Sequence, residues 1–437
     1  MTNRCAGCIS AKTSSSDRRM EKYISEGSVS GTVTPPSSKS YAQRCIAAAL
    51  LCQGKTVIRA VEMCDDTHAA FRVAQALGAR VERLDPHTYS VHGGLNPQSD
   101  ILDIGESGLS TRLFTPIASL CRRPITVTGH GSILSRPIDM MTAPLRSLGV
   151  RVQDNEGRLP LTVQGPIHGG QVHVDGSVSS QFVTGLLMSL PLAQSDTTIY
   201  VNDLKSIPYI DMTIDTMNRF GVEIQHRDYS EFYVPGAQSY TPTDFSIEGD
   251  WSGASCLLAA GATAGSVTIR NLSEVSLQAD VAMISALSKA GAEIISTSDS
   301  LTVSRRELRP FVFDATSCPD LFPALAALAA SCDGVSEIKG TSRLLHKESD
   351  RALAIATEYG RLGIKVDIVS QPDTMLIYGG PMHGAEVDSH KDHRMAMSLA
   401  VAALSAEGTT VIRGAECVAK SYGDFWDDFE KIYRKQS

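Results

Sequence analysis

The sequence predicts an α/β fold made by repeating one unit six times, and three observations carry that expectation. Glycines suited to ending helices recur at Gly78, Gly149, Gly221, Gly291 and Gly363, about 70 residues apart each time. Each follows an amphipathic stretch opened by an aspartate (Asp66, Asp139, Asp211, Asp280, Asp350, then Asp424). Ahead of each aspartate lies a short strand-like segment: 56–59, 125–128, 198–201, 266–269, 335–338 and 410–413. Aspartate at an N-cap and glycine just past the helix end are the expected punctuation of a repeated helix.

Taken in order, residues 1–19 are rich in Ser, Thr and Arg without an apolar segment and read as a disordered extension. Lys22–Ser25 and Gly31–Thr34 match a strand pair that the sixth unit lacks, so the chain ends should meet, residues about 20–36 completing that unit. Pro35 and Pro36 then stop strand pairing, because proline fixes φ and lacks a donor. Ser38 or Ser40 can cap the helix that follows, which runs through the apolar Cys45–Leu51. Free N–H groups at that helix start lie beside Lys39, with Ser40 and Arg44 four apart on one face. This is an anion site, suited to phosphate; taken alone, a capped helix with solvated charges is the plainer reading.

Later units repeat the theme. Polar clusters fall at strand-to-helix turns: Glu106–Gly108, Ser177–Gln181, Asp250–Ser255, Ser317–Asp320 and Lys391–Arg394. Helix N-termini facing one cavity would favour a polyanion. Arg112 sits one turn into its helix, as Arg44 does, and Arg136 before Pro137 suits the first turn of the next. Ser177, Ser179, Ser180 and Gln181 offer three hydroxyls and an amide to a phosphorylated or polyhydroxylated ligand. Lys347 and Arg351 are four apart on a helix face with Glu348 beside them, and a carboxylate among fixed cations can move a proton. A solvated charged helix start fits those residues equally. Asp320, after Cys318-Pro319, is a cap or a base; sequence alone favours the cap.

Composition narrows the class. Forty basic and 48 acidic residues give a net charge of −8, against a nucleic-acid or anionic-membrane surface. No apolar run is long enough to span a bilayer. Ten scattered cysteines suit reduced, buried thiols in a cytoplasmic protein, and Cys5 and Cys8 form a lone CxxC without a partner pair. Gly54-Lys55-Thr56 looks like the tail of a phosphate loop, but Ala49 stands where its first glycine belongs. Nothing calls for a metal or nucleotide cofactor.

Together, Ser38-Lys39-Ser40-x-x-x-Arg44, Ser179-Ser180-Gln181, Lys347 to Arg351 and Asp392-His393-Arg394-Met395 resemble the 5-enolpyruvylshikimate-3-phosphate synthases of the enolpyruvyl transferase family. Order and spacing match from about residue 22 to the end. The resemblance implies an inside-out α/β barrel of two domains with three repeats each: residues 38–248, and 20–37 plus 249–437, with substrates between them. It implies transfer of the enolpyruvyl group of phosphoenolpyruvate to the 5-hydroxyl of shikimate 3-phosphate, through a tetrahedral intermediate and with release of phosphate. That is a step of aromatic amino-acid biosynthesis, performed by a cytoplasmic monomer without a cofactor. By position it assigns shikimate 3-phosphate to Lys39, Ser40, Arg44, Ser179, Ser180, Gln181, Ser206, Tyr209, Asp320 and Lys347. Phosphoenolpyruvate falls to Lys39, Gly108, Arg136, Gln181, Arg351, His393, Arg394 and Lys420. Asp320 matches the base and Glu348 the proton donor, with Lys39 also catalytic. Glu106, where the family usually has Asn, would add a carboxylate near the phosphoenolpyruvate carboxylate; Ser132 replaces an arginine, as does Leu345, while Arg343 stands at a frequent Asn. Two alternatives remain at this point: the sister transferase acting on a UDP-aminosugar, and a non-catalytic anion-binding protein on the same scaffold.

Overall fold

The computed structural model describes residues 20–345 and 347–435; the predicted extension, the Cys5/Cys8 pair and His346 lie outside them. The chain forms two compact units. Unit 2 is Pro36–Asp250 with Glu274–Val281, and unit 1 is the remainder. The short segment stays with unit 2 because the Gln278 amide donates to Glu248 Oε1 (2.7 Å) and to the Gly249 carbonyl (2.8 Å).

Unit 2 carries helices α1 (Lys39–Leu51), α2 (Asp65–Ala76), α3 (Gly108–Ala118), α4 (Thr142–Ser147), α5 (Gln181–Ser189) and α6 (Pro208–Arg219). Its three sheets share one pattern. A first strand runs parallel to a second, which pairs antiparallel with a hairpin. Ile101–Asp103, Ile125–Thr128, Arg158–Gln164 and Arg151–Asn155 form one such sheet in that spatial order. Gly170–Asp175 and Asp244–Ser246 open the other two. The alternating helices α1, α3 and α5 are apolar almost all round and lie buried, α3 packing on both of the others. Their partners α2 and α6 are amphipathic and lie outside with the sheets.

Unit 1 repeats the plan with α7 (Trp251–Ala264), α8 (Met283–Ala290), α9 (Phe322–Ala330), α10 (Arg351–Arg361), α11 (His393–Ala403) and α12 (Phe425–Ile432). Every residue of α7, α9 and α11 is buried, and the three pack on one another. Alanine fills much of this surface, which lets helices approach without voids. The sixth sheet takes Glu21–Ser25 from the chain start, antiparallel to Thr409–Arg413.

The N-terminal pair departs from expectation. Glu21–Ser25 completes the sixth sheet, but Gly27–Val33 runs parallel to Gly265–Arg270 in the fourth repeat and pairs with Tyr433–Lys435. The two strands separate at Glu26–Gly27, whose N–H groups donate to the Gly408 and Leu404 carbonyls. A Cβ at Gly27 would lie 2.5 Å from the Arg434 carbonyl oxygen, so only glycine allows that crossing. The ends do meet.

The repeating glycines behave as expected: φ is 118° at Gly78, 84° at Gly149, 77° at Gly221, 90° at Gly291 and 94° at Gly363. The aspartates mostly do not cap. Asp350 does, accepting from Leu353 N at 3.2 Å, whereas Asp66 lies inside the first turn of α2 and Asp211 takes the Tyr229 hydroxyl at 2.7 Å. Two local expectations also change. Lys347 precedes the capped start of α10, so it shares no helix face with Arg351. Arg136 is extended (φ −77°, ψ 139°) after the turn Gly131–Ser135 rather than in a first helical turn.

A Cβ at Gly78 would meet Asn96 backbone atoms at 2.5–2.8 Å, whereas one at Gly408 (φ 94°) meets nothing within 4 Å. Gly78→Ala should therefore destabilise by about 3 kcal/mol or more and Gly408→Ala by about 1 kcal/mol. Denaturant midpoints measure this, and equal shifts would contradict it.

Candidate active site

In unit 2 the site residues gather at the starts of the buried helices. Ser38 caps α1 by accepting from Tyr41 N, which leaves Lys39 at the helix mouth. The Lys39 ammonium pairs with Asp66 at 3.0 Å, and its N–H donates to Asp250 Oδ2 at 3.3 Å. From α1, Gln43 Oε1 accepts the hydroxyls of Ser107 (3.2 Å) and Ser110 (2.9 Å), tying the α1 and α3 starts together.

Arg44 and Arg112 play parallel local roles. Each folds back one turn to donate to the carbonyl four residues earlier: Arg44 Nη1 to Ser40 O (2.9 Å), Arg112 Nη1 to Gly108 O (3.2 Å). Arg44 is 1% exposed and also donates to Thr213 Oγ1, Thr184 Oγ1 and the Tyr209 carbonyl, so most of its donors are engaged. Burial lowers both guanidinium groups to about 10, Arg112 with help from Arg136. Both therefore remain charged at neutral pH.

Two guanidinium groups and an amide oxygen converge on Gly108, a candidate anion cradle. A Cβ there would lie 3.0 Å from Arg136 Nη1, 3.4 Å from Arg112 Nη1 and 3.7 Å from Gln181 Oε1. Two guanidinium edges and an amide thus look onto the bare first residue of α3, where backbone N–H groups add to the positive potential. Ser180 stands before α5, and Ser179 Oγ accepts Gln181 N at 3.2 Å. Ser206 takes a left-handed conformation (φ 57°) just before α6, near the start of which Tyr209 lies. Arg44 links Ser40 and Tyr209 through their carbonyls, Arg136 and Gln181 meet over Gly108, and Gln43 ties the α1 start to that of α3.

Glu106 does not simply add charge to the cradle. Its Oε2 accepts both the N–H and the hydroxyl of Ser132 at 3.0 Å, so two departures from the family pattern meet each other.

In unit 1 the centre is Arg351, fully buried at the start of α10. Its Nε donates to Asp392 Oδ2 (2.9 Å), Nη1 to Asp320 Oδ1 (3.0 Å) and Nη2 to Glu348 Oε2 (2.9 Å). Lys347 approaches Asp320 at 3.1 Å, Arg394 Nη2 approaches it at 3.5 Å, and Lys420 lies 3.5 Å from Glu348. Arg394 also donates to the Ser252 carbonyl (3.3 Å), which ties the α11 start to that of α7. His393 is 1% exposed, its Nδ1 3.9 Å from Asp392 Oδ1. Four cations thus surround three carboxylates, a set with spare positive charge for an anionic ligand.

Burial alone would raise the Asp320 carboxyl, but Lys347, Arg394 and Arg351 outweigh it and hold the group well below the usual carboxylate range. Burial lowers the Lys347 ammonium, with Asp320 acting the other way. For Arg351, burial opposes the charge, and Asp392, Glu348 and Asp320 override it and raise its pKa. Asp320 lies in the Pro319–Leu321 turn ahead of α9 and is not the cap residue there; its carboxylate faces cations instead.

A family model described as EPSP synthase (3-phosphoshikimate 1-carboxyvinyltransferase) matches residues 25–429. The chain belongs to the EPSP synthase family. Among curated relatives named 3-phosphoshikimate 1-carboxyvinyltransferase, that of Clostridium novyi is 37% identical over 416 residues, covering 92% of this chain and 95% of the relative. That of Methanosarcina acetivorans is 39% identical over 426 residues, covering 94% and 98%. A solved EPSP synthase from Acinetobacter baumannii is similar with a TM-score of 0.80 over 95% of this chain and 98% of that one; at 24% identity the likeness is one of fold.

Asp66, Asp392 and Gln43 contact or flank the candidate residues, and sequence reasoning passed over those contacts. Asp66 was visible as one of the repeating aspartates, and Asp392 lay inside a quoted motif. Filling the cradle should be selective: Gly108→Ala is expected to weaken inorganic phosphate binding by unit 2 about tenfold, roughly one charge-assisted hydrogen bond, with unchanged unfolding. Calorimetric titration of the variant checks this.

Proposed function

We propose that the chain transfers the enolpyruvyl group of phosphoenolpyruvate to the 5-hydroxyl of shikimate 3-phosphate and releases phosphate. The observation that carries this reading is the shared guanidinium: Asp320 and Glu348 both rest on Arg351, so a base and an acid have a fixed spacing. Asp320 takes the proton of the 5-hydroxyl as its oxygen attacks the enol carbon, and Glu348 gives a proton to the methylene carbon. The tetrahedral adduct then loses a methyl proton and phosphate, which restores the double bond.

The remaining residues hold the substrates. By the family resemblance, Lys39, Gly108, Arg136, Gln181, Arg351, His393, Arg394 and Lys420 are assigned to phosphoenolpyruvate. Lys39, Ser40, Arg44, Ser179, Ser180, Gln181, Ser206, Tyr209, Asp320 and Lys347 take shikimate 3-phosphate. Each phosphate carries about −1.5 to −2 near neutral pH, which explains the demand for so many cations. Holding two repelling anions in line can supply roughly 7 kcal/mol or more of the barrier. Free cysteines, eight among the described residues, support a reducing compartment such as the cytoplasm. Among the described residues no helix is long and apolar enough to cross a membrane.

Phosphate release from the two substrates tests the reaction itself; none would reject it. Asp320→Ala and Glu348→Ala should each lower turnover by about 10²-fold or more, and near-normal rates would reject their roles. A carboxyl held as low as that of Asp320 is charged but a poor base, and its stabilising effect is present above about pH 4 and lost as pH falls toward the native value. Anions bound to Lys347, Arg394 and Arg351 would offset those cations and raise the carboxyl. A carboxyl titration read against Asp320→Asn should therefore move upward when shikimate 3-phosphate and inorganic phosphate are added together; an unmoved titration would refute this.

A further inference from the structure

The turn Asp388–Asp392, which delivers the start of α11, is held in an unfavourable shape. His390 (φ 54°) and Lys391 (φ 57°) are consecutive left-handed residues, and neither is glycine. Such strain persists only where surrounding contacts over-determine it. Ser389 ties the turn to the last repeat, its N–H donating to the Arg413 carbonyl (3.0 Å) and its hydroxyl to the Gly414 carbonyl (2.9 Å), and one buried carboxylate ties the turn to α10. Glu358, in the third turn of α10, has a side chain with 0% exposure. Its Oε1 accepts His390 Nε2 at 2.7 Å, and its Oε2 accepts Asp388 N at 3.0 Å and faces Arg361 Nη1 at 3.2 Å. A buried carboxylate needs such partners, so the arrangement locks α10 to the turn.

Two residues after His390 comes Asp392. It caps α11 through Arg394 N (3.0 Å) and grips Arg351 through both oxygens, Oδ2 to Nε at 2.9 Å and Oδ1 to Nη2 at 3.3 Å. The turn therefore sets the anchor that orients Arg351, while α10 carries Arg351 itself. One carboxylate spans both sides of that contact.

We infer that Glu358, acting through His390, is a positioning residue for the reaction: it holds the strained turn that places Asp392 and Arg394 against Arg351. The inference rests on the functional reading above. Glu358 touches no reacting atom; its effect passes through backbone geometry to the arginines assigned to phosphoenolpyruvate. The His390 ring is 38% exposed and opens on a cavity of about 510 Å³ that Arg361, Lys391 and Arg413 also line, so a small molecule can reach its place.

The test compares glycine at the two strained positions. Gly fits either φ, so Lys391→Gly relieves strain without removing the link, and both KM values should stay within about twofold of the parent. His390→Gly relieves strain and removes the link. It should raise KM for phosphoenolpyruvate about tenfold, roughly one charge-assisted hydrogen bond, with KM for shikimate 3-phosphate within about twofold. Added imidazole should restore much of the loss. Glu358→Gln, which keeps shape and loses charge, should fall between. Unchanged KM for phosphoenolpyruvate in both His390→Gly and Glu358→Gln would overturn the inference, as would equal loss for both substrates without imidazole rescue. A crystal structure of His390→Gly separates this from failure of the functional reading. If the parent releases no phosphate, that reading fails, while the positioning role still stands on loss of the Asp392–Arg351 contact in the variant and falls if the contact is intact.

Discussion

A single guanidinium organises the charged cluster of unit 1. Arg351 is fully buried and gives its three nitrogens to three carboxylates: Asp392, Asp320 and Glu348. Its planar fork fixes the directions of those bonds, so the carboxylates are spaced by a rigid group rather than by flexible chains. Burying such a cluster is costly in itself, and removing one partner of a buried pair typically costs about 3–5 kcal/mol. The arrangement therefore contributes specificity of geometry more than stability. Lysine could supply the charge but not the spacing, because its ammonium is a point on a flexible stem.

How that guanidinium comes to its place follows from the repeat, and the repeat was legible. Gly78, Gly149, Gly221, Gly291 and Gly363 mark helix ends because only glycine takes the left-handed conformation there at little cost. The buried helix through Cys45–Leu51 was equally visible, since that stretch lacks a polar face. What the pattern hid was strand partnership. Gly31–Thr34 reads as a strand, but the observed strand Gly27–Val33 takes as its parallel partner Gly265–Arg270, far along the chain, and no local propensity encodes that choice. The aspartates were misread for a related reason. A residue one position inside the first turn has the same composition signal as a cap, yet its carboxylate is released for another partner, as Asp66 is for Lys39.

The site was readable where one segment carries it and opaque where two segments must meet. Lys39, Gly108, Gln181 and Arg394 all stand at helix starts, where backbone donors and sequence motif coincide. Asp392 as the anchor of Arg351, and Gln43 as the bridge between α1 and α3, are contacts across repeats. The same holds for Glu106 and Ser132. Each alone was a departure weakening an anion site. In contact, the serine N–H and hydroxyl satisfy the carboxylate, and the two changes become one local solution.

The two units use one plan for different ends. In unit 2 the starts of α1, α3 and α5 are tied by Gln43 and by the Gly108 cradle, and the groups there are mostly cations, hydroxyls and an amide. In unit 1 the start of α11 is tied to α7 through Ser252 and to the turn before α9 through Asp320, and carboxylates stand among the cations. A binding surface needs charge complementarity only, whereas proton transfer needs a group that can change its own charge. Such a group responds when a ligand changes the charges that set its own state. At Asp320 three cations outweigh burial and hold the carboxyl low, so an anion that offset those cations would raise it.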